Sequence, residues 1–232
     1  MIYFLLDSYG KTASVAIFEG DNMLFEKVEN NGYTHSETLL PLCIEAFETT
    51  GINVSQVDAF GVTNGPGSFT GLRIGLATIK GLALPNNTPV VPVSTLEALS
   101  YTTKEDGIII STLDARRNEI YYAIFEKKGN VVTRISEDSA APVAMLKPYL
   151  ETFTKPVSFV GDGAVLCYNT YGYLLNVLPP TTLPVNVAIG TFAVVLKAFS
   201  EGRAITHTQL RPVYLRLSQA ERERLTKMEN SE

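Results

Sequence analysis

With 19 Lys and Arg against 24 Asp and Glu, a formal net charge of −5 and a pI of about 5.2, the 232-residue chain lacks the basic surface needed to grip nucleic acid alone. Its 45% hydrophobic and 19% charged residues are ordinary globular composition, and the length allows one sizeable domain or two small lobes. No apolar stretch approaches the ~18 residues of a membrane span, and the distant Cys43 and Cys167, each within an apolar stretch, read as reduced core residues of a cytoplasmic protein.

The opening MIYFLLDSYG has no basic n-region and its apolar run stops at Asp7, so it reads as a strand rather than a signal peptide. Ile2 to Leu6, Ala13 to Glu19 and Met23 to Glu29 form an antiparallel meander turned at Gly20-Asp21. Thr34 and Glu37 are spaced as a capping box for a helix carrying Leu39, Leu40, Cys43, Ile44 and Phe47, bent at Pro41 and stopped by Gly51. His35 reads as a neighbour of that cap. Strands follow at Val57 to Val62 and Val90 to Val93, with a glycine-rich segment, GPGSFTGLRIGLATIKGLAL, between them.

A second unit begins near Lys104 to Gly107 and repeats the order: strands at Ile108 to Leu113, Glu119 to Glu126 and Val131 to Ser136, a helix at Ala144 to Thr152, a strand at Val157 to Val160 and a helix at Ala164 to Tyr171. Leu178 to Pro184 reads as linker, and Val187 to Ser200 as a helix with Ile189, Phe192, Ala193, Leu196 and Phe199 on one face. The expected division is 1–103 with 186–217 as one lobe, 104–185 as a second, smaller lobe, and 218–232 as a polar tail. The fold class is α/β, a duplicated two-lobe arrangement of mixed sheets flanked by helices.

The glycine-rich segment fails as a phosphate cradle. No Lys-Ser or Lys-Thr follows its loop, Pro66 removes an N–H, and Phe69 is bulky for an anion nest. Ser68 or Thr70 can cap the helix. At 100° per residue, Phe69, Gly71, Leu72, Ile74, Gly75, Thr78, Ile79 and Leu82 make that helix apolar or small round most of its surface, with a narrow polar stripe of Arg73 and Lys80. Such a surface needs a cover, either the helix at 187–200 or another subunit. The expectation is a protein–protein interface in which the glycines give clearance to a neighbouring helix. No His pair or Cys cluster suggests a metal site, and neither His35 nor His207 stands in a nucleophile motif, so no catalytic residue is assigned.

LLDS at 5–8, HSETLLPL at 35–42, NGPGSFTGLRIGLATIKGLAL at 64–84, VSTLEAL at 93–99, LDARRNEIYYA at 113–123, GDGA at 161–164 and PVYLR at 212–216 together resemble the ASKHA superfamily of sugar kinases, heat-shock ATPases and actin, with its ribonuclease H-like lobes. Within it the chain is most similar to the TsaB (YeaZ) family of tRNA threonylcarbamoyladenosine biosynthesis. The resemblance implies a non-catalytic subunit that homodimerises alone, binds a TsaD-like transferase, meets a TsaE-like ATPase through the complex, and reaches tRNA only through it. It also implies a vestigial nucleotide site at Asp7, Asp114, Gly161 and Gly163, with residual ATP or ADP binding as the only cofactor. Asp7 would sit beneath the phosphates or, alternatively, bond the backbone of the following turn. Arg116 and Arg117 would bind phosphate or a partner's carboxylates, or be solvated. TsaD's histidine pair falls here on Thr95 and Leu99, which cannot hold metal. The rival expectation is an ATP- and Mg-dependent phosphotransferase, against which Tyr9-Gly10-Lys11 departs from the usual Ser/Thr-rich loop.

Overall fold

The computed structural model describes residues 1–30, 32–180 and 186–216; the polar tail at 218–232 and most of the expected linker lie outside them. Strand β1 (Ile2–Asp7) pairs antiparallel with β2 (Ala13–Glu19), which pairs with β3 (Asn22–Glu29). Helix α1 (His35–Thr50) starts at the reciprocal Thr34–Glu37 capping box, runs through Pro41 and ends where Gly51 turns left-handed. Strand β4 (Ala59–Gly65), helix α2 (Phe69–Ala83) and strand β5 (Val90–Ser94) complete a five-stranded sheet in the order β3-β2-β1-β4-β5, with β1, β4 and β5 parallel.

The second sheet repeats the plan. Strands β6 (Gly107–Asp114), β7 (Glu119–Lys128) and β8 (Val131–Arg134) form a meander, and β9 (Ser139–Pro142) also pairs with β7. After helix α4 (Lys147–Thr152), β10 (Val157–Val160) pairs parallel with β6; helix α5 (Ala164–Tyr171) then leads to a short β11 (Val177–Leu178). The order β8-β7-β6-β10-β11 matches the first sheet position for position. Each sheet is followed by one more helix, α3 (Thr95–Ser100) and α6 (Val187–Ser200).

Alternation along the strands divides the interior into layers. Phe4, Leu6, Phe60 and Val62 face α1 and α2; Tyr3, Leu5, Ala59 and Val91 face the other way, onto α3 and α6. Ile109, Leu113, Ala123 and Phe125 cover α3 and α6 from the second sheet, while Ile108, Ile110 and Phe159 face the α4–α5 side. The resulting architecture is the duplicated ASKHA-like α/β fold, with α3 and α6 between two mixed sheets. No described helix is long and apolar enough to cross a membrane.

Several expected boundaries move for local reasons. The strand expected from Val57 starts at Ala59, because Asn53 caps a 3-10 turn over Val54–Gln56. The helix expected at 144–152 is a 3-10 turn at Val143–Leu146 followed by α4, which restarts at Lys147-Pro148. The strand expected over 131–136 stops at Arg134, and β9 forms separately; Leu178, expected in the linker, belongs to β11. Helix α3 was not foreseen, although Ser94, whose Oγ accepts the Glu97 N–H at 3.2 Å, and Glu97 carry the cap spacing. In α6 the residues expected on one face, Ile189, Phe192, Ala193, Leu196 and Phe199, are partly buried. Phe192 stacks on Phe18 at 3.8 Å, while Val187, Ala188, Gly190, Val194, Val195 and Ala198 are fully enclosed. A helix held between a sheet and another helix buries more than one face. Gly190 permits this, since a Cβ there would stand 2.2 Å from the Ala98 carbonyl oxygen.

Gly71 and Gly75 clear the chain's own first strand. A Cβ on Gly71 would lie 2.2 Å from the Ser8 carbonyl oxygen and one on Gly75 2.2 Å from Ser8 Oγ, whereas Gly81 has nothing within 4 Å. Gly71→Ala is therefore expected to lower stability by about 1–3 kcal/mol through overpacking. Gly81→Ala in the same helix should raise it by about 0.5–1 kcal/mol through backbone entropy. Urea unfolding midpoints of the two variants check the pair.

Candidate functional site

Asp7 ends β1 and is fully buried. The Thr63 hydroxyl, from the neighbouring parallel strand, donates to Asp7 Oδ1 at 2.5 Å, and the Tyr9 amide donates to the same oxygen at 3.3 Å. Oδ2 has no hydrogen-bond partner. The carboxylate thus bonds the turn that follows it, one of the two roles open from the sequence. Burial pushes its pKa up to about 7, against the opposing bonds from Thr63 and the backbone.

Above Asp7 the loop 9–11 is clamped onto the start of α2. The Ser68 amide donates to the Tyr9 carbonyl at 2.7 Å, and a Cβ on Gly67 would lie 2.8 Å from Tyr9 Cβ. Ser68 caps α2 by accepting the Gly71 N–H at 3.2 Å, and Ser8 Oγ donates to the Gly71 carbonyl at 2.9 Å. His35, expected only as a neighbour of the helix cap, holds this loop from the other side: its Nε2 donates to the Gly10 carbonyl at 2.8 Å. Tyr9 is nearly enclosed; burial, and then the nearby Asp162 and Asp7 carboxylates, hold its phenol well above the ordinary range.

A cleft of about 550 Å³ opens between this loop and the second sheet, lined by Tyr9, Lys11, Ser68 and Thr70 on one side and Asp114, Arg116 and Asp162 on the other. Asp7 is not among its lining residues. Asp114 is, but its Oδ1 accepts the Arg116 amide at 2.7 Å. Asp162 lines the cleft in place of its flanking glycines, and its Oδ1 accepts the Asp114 amide at 2.9 Å. This bond joins two loops that the sequence treats separately. A Cβ on Gly161 would lie 2.2 Å from the Thr112 carbonyl oxygen, so that glycine lets the turn close against β6. Arg116, Arg117 and Asn118 all have φ near +60°, a non-glycine left-handed run held by the Asp114 bond and by Glu119 N–H to Arg116 O at 3.2 Å. Asp162 Oδ1 and Asp114 Oδ1 thus each accept one backbone amide, and Asp7 is buried away from the cleft. Among the described residues no cluster of three His, Cys, Asp or Glu side chains could hold a metal. Thr95 and Leu99, where the resemblance would put a histidine pair, are fully buried.

The second candidate surface lies on the opposite side of the first sheet from α6. Leu72, Gly71, Gly75 and Ile79 face inward on α2, and Phe69 stacks on Tyr214 at 4.1 Å. Ile74, Thr78 and Leu82 are half-buried, and Ala77 and Gly81 are exposed. On the adjoining α1, Leu40 and Ile44 are 52% and 47% exposed, four residues apart on one face.

Comparison with known proteins decides what kind of chain has this architecture. A family model described as TsaD, tRNA N6-adenosine threonylcarbamoyltransferase, matches residues 29–231. The chain belongs to this family. Several of the curated relatives are named TsaB, and a solved structure it resembles is named YeaZ. The "tRNA threonylcarbamoyladenosine biosynthesis protein TsaB" of Haemophilus influenzae is 33% identical over 122 residues, 51% of each chain. The Escherichia coli protein of the same name is 26% identical over 91% of this chain and 93% of its own. The solved YeaZ of Pseudomonas aeruginosa superposes with a TM-score of 0.74 at 23% identity, covering 92% of this chain and 99% of that one. That likeness fixes the two-lobe fold.

The buried Asp7 makes a prediction with a definite sign. Its native pKa, about 7, lies above the unfolded value near 3.9. The native state therefore binds the proton more tightly, and the stability this adds is complete below about pH 4 and lost as pH rises through about 7. Asp7→Asn removes the dependence. Relative to the parent protein, the variant should gain on the order of a few kcal/mol between about pH 4 and pH 8, read from urea unfolding at both pH values; a constant difference would refute the assignment.

Proposed function

We propose that the chain is a non-catalytic subunit of the machinery that makes threonylcarbamoyladenosine in tRNA, and that it docks a TsaD-like transferase through α1 and α2. The observation that carries the reading is the strip of exposed Leu40 and Ile44 on α1 and exposed Ala77 and Gly81 on α2, with Ile74 and Thr78 half-buried, on the face of the sheet away from α6. Covering a half-exposed Leu or Ile contributes about 1 kcal/mol each, which favours a covered over an open strip. Family membership and the names of the relatives support the reaction served.

In this reading the transferase supplies metal and transfer site, a separate enzyme supplies the threonylcarbamoyl adenylate, and a TsaE-like ATPase joins through the complex. Alone, the subunit closes the same strip against a second copy, and tRNA meets it only in the assembly. It uses no nucleotide for chemistry: Asp7 does not line the cleft, Asp162 accepts the Asp114 amide, and Asp114 accepts the Arg116 amide of its own turn. The free, buried Cys43 and Cys167 suit a reducing cytoplasm.

Mixing with a TsaD-type subunit followed by size exclusion tests the docking. Gly75→Arg is a poor probe, because the inward glycine cannot take even a Cβ. Ala77→Arg and Gly81→Arg leave the interior alone, and each should weaken the heteromer at least tenfold, about 1.4 kcal/mol, with circular dichroism unchanged. A heteromer indifferent to both substitutions overturns the proposed face. Calorimetric titration with ATP and magnesium should give no binding heat, whereas micromolar binding with turnover on a hydroxylated acceptor would establish the phosphotransferase instead.

A further inference from the structure

After α6 the chain returns along the first sheet. Ile205 and Val90 exchange backbone hydrogen bonds at 2.8 Å, and Leu210 is completely buried in the core on the α1–α2 side. Residues 211–216 then leave this anchor and run toward the second lobe. Asn64 Nδ2 donates to the Arg211 carbonyl at 3.2 Å, and the Val213 amide donates to the Asn64 carbonyl at 2.7 Å. Gly65 has φ +130°, and a Cβ there would lie 2.2 Å from the Val213 oxygen, so the segment sits in a seat only glycine can provide.

One residue on, the Tyr214 ring lies flat on Phe69, 4.1 Å between centroids at 11°. Its hydroxyl accepts from Arg73 Nε at 2.8 Å, and the Arg73 guanidinium stands 5.7 Å from the ring centre. Arg216 then crosses to the other lobe. It forms an ion pair with Glu119, the first residue of β7, and donates to the Ala115 carbonyl at 3.5 Å. Both side chains of that pair are more than two-thirds covered, so solvent screens it less than an open surface pair.

Within six residues the segment therefore holds the end of β4, the first turns of α2 and the β6–β7 turn. Phe69 and Arg116 are cleft-lining residues on opposite walls, and Ala115 lies beside the latter. On the far side, the lobes are joined by the continuous core around α3 and α6. We propose that residues 211–216 are a latch across the mouth of the interlobe cleft: Tyr214 grips the first lobe, Arg216 grips the second, and together they hold the cleft at one width while the α3–α6 core serves as the hinge. The latch belongs to the isolated chain and does not rest on the docking partner proposed above.

Distance measurement across the mouth tests it on the full chain. Lys11→Cys and Arg117→Cys place spin labels on the two lips, both exposed. The native Cys43 and Cys167 stay unlabelled, since burial pushes both thiols up to about 12. Pulsed electron resonance should give one narrow distance in the parent protein. Tyr214→Ala with Arg216→Ala should broaden it and shift it to longer distance, and backbone amides at 115–121 should exchange about tenfold faster while those of β1 and β6 keep their protection. Glu119→Arg alone should open the mouth, and Glu119→Arg with Arg216→Glu should close it again. An unchanged distance in the Tyr214/Arg216 double variant overturns the latch, as does a rate increase spread equally over β1 and β6. Should that variant fail to fold, the Glu119→Arg and exchanged-charge pair give the same reading.

Discussion

The structure depends on how closely α2 approaches the end of β1. Gly71 and Gly75 bring the helix backbone onto Ser8, and the Ser8 hydroxyl closes the contact by donating to the Gly71 carbonyl. A helix that near the strand has its N-terminus beside the 9–11 loop, and the Ser68–Tyr9 backbone bond follows from it. Tyr9 is buried beside Asp7, and the Asp7 side chain is fully buried. One steric condition thus positions the helix, builds one wall of the cleft and raises a carboxylate pKa.

That sequence of consequences sets the state of the carboxylate that ends the first strand. A metal-orienting carboxylate must present free oxygens to an open cavity. Here Thr63 and Tyr9 take one oxygen of Asp7, and the other faces an interior without a partner. Across the cleft, Asp162 caps the Asp114 amide and Asp114 caps the Arg116 amide, so the carboxylates stiffen a left-handed turn that three non-glycine residues would otherwise resist. Through these bonds the two carboxylates fix the shape of the loops that line the cleft.

Local signals were legible in the sequence where a single residue decides a local conformation. The Thr34–Glu37 box, the left-handed Gly51 and the matched element order of the halves all appear as read. What escaped the sequence depends on distant segments meeting. The clearance at Gly71 and Gly75 was visible, but its occupant, Ser8, lies more than 60 residues away. The Asp114–Asp162 bond joins loops 48 positions apart, and the bond between Arg73 and Tyr214 spans 141. In α6, periodicity identified an apolar face, yet the helix is covered on several sides, so the face with the largest residues was not the deepest. Short β9 and β11 carry too few residues to show alternation at all.

The glycine-rich helix then resolves into two faces with different obligations. Its inner face is fixed by Ser8, Leu6 and the core, and any side chain added there is a folding mutation before it is anything else. Its outer face, with Ala77, Thr78 and Gly81, meets no such demand: a Cβ at Gly81 encounters open space, and alanine there would favour the helix. Among the described residues this exposed glycine clears nothing, while it costs helix stability. Beside the exposed Leu40 and Ile44, the small outer residues keep the helix surface low between larger neighbours, and a low apolar surface is a shape that another helix can approach.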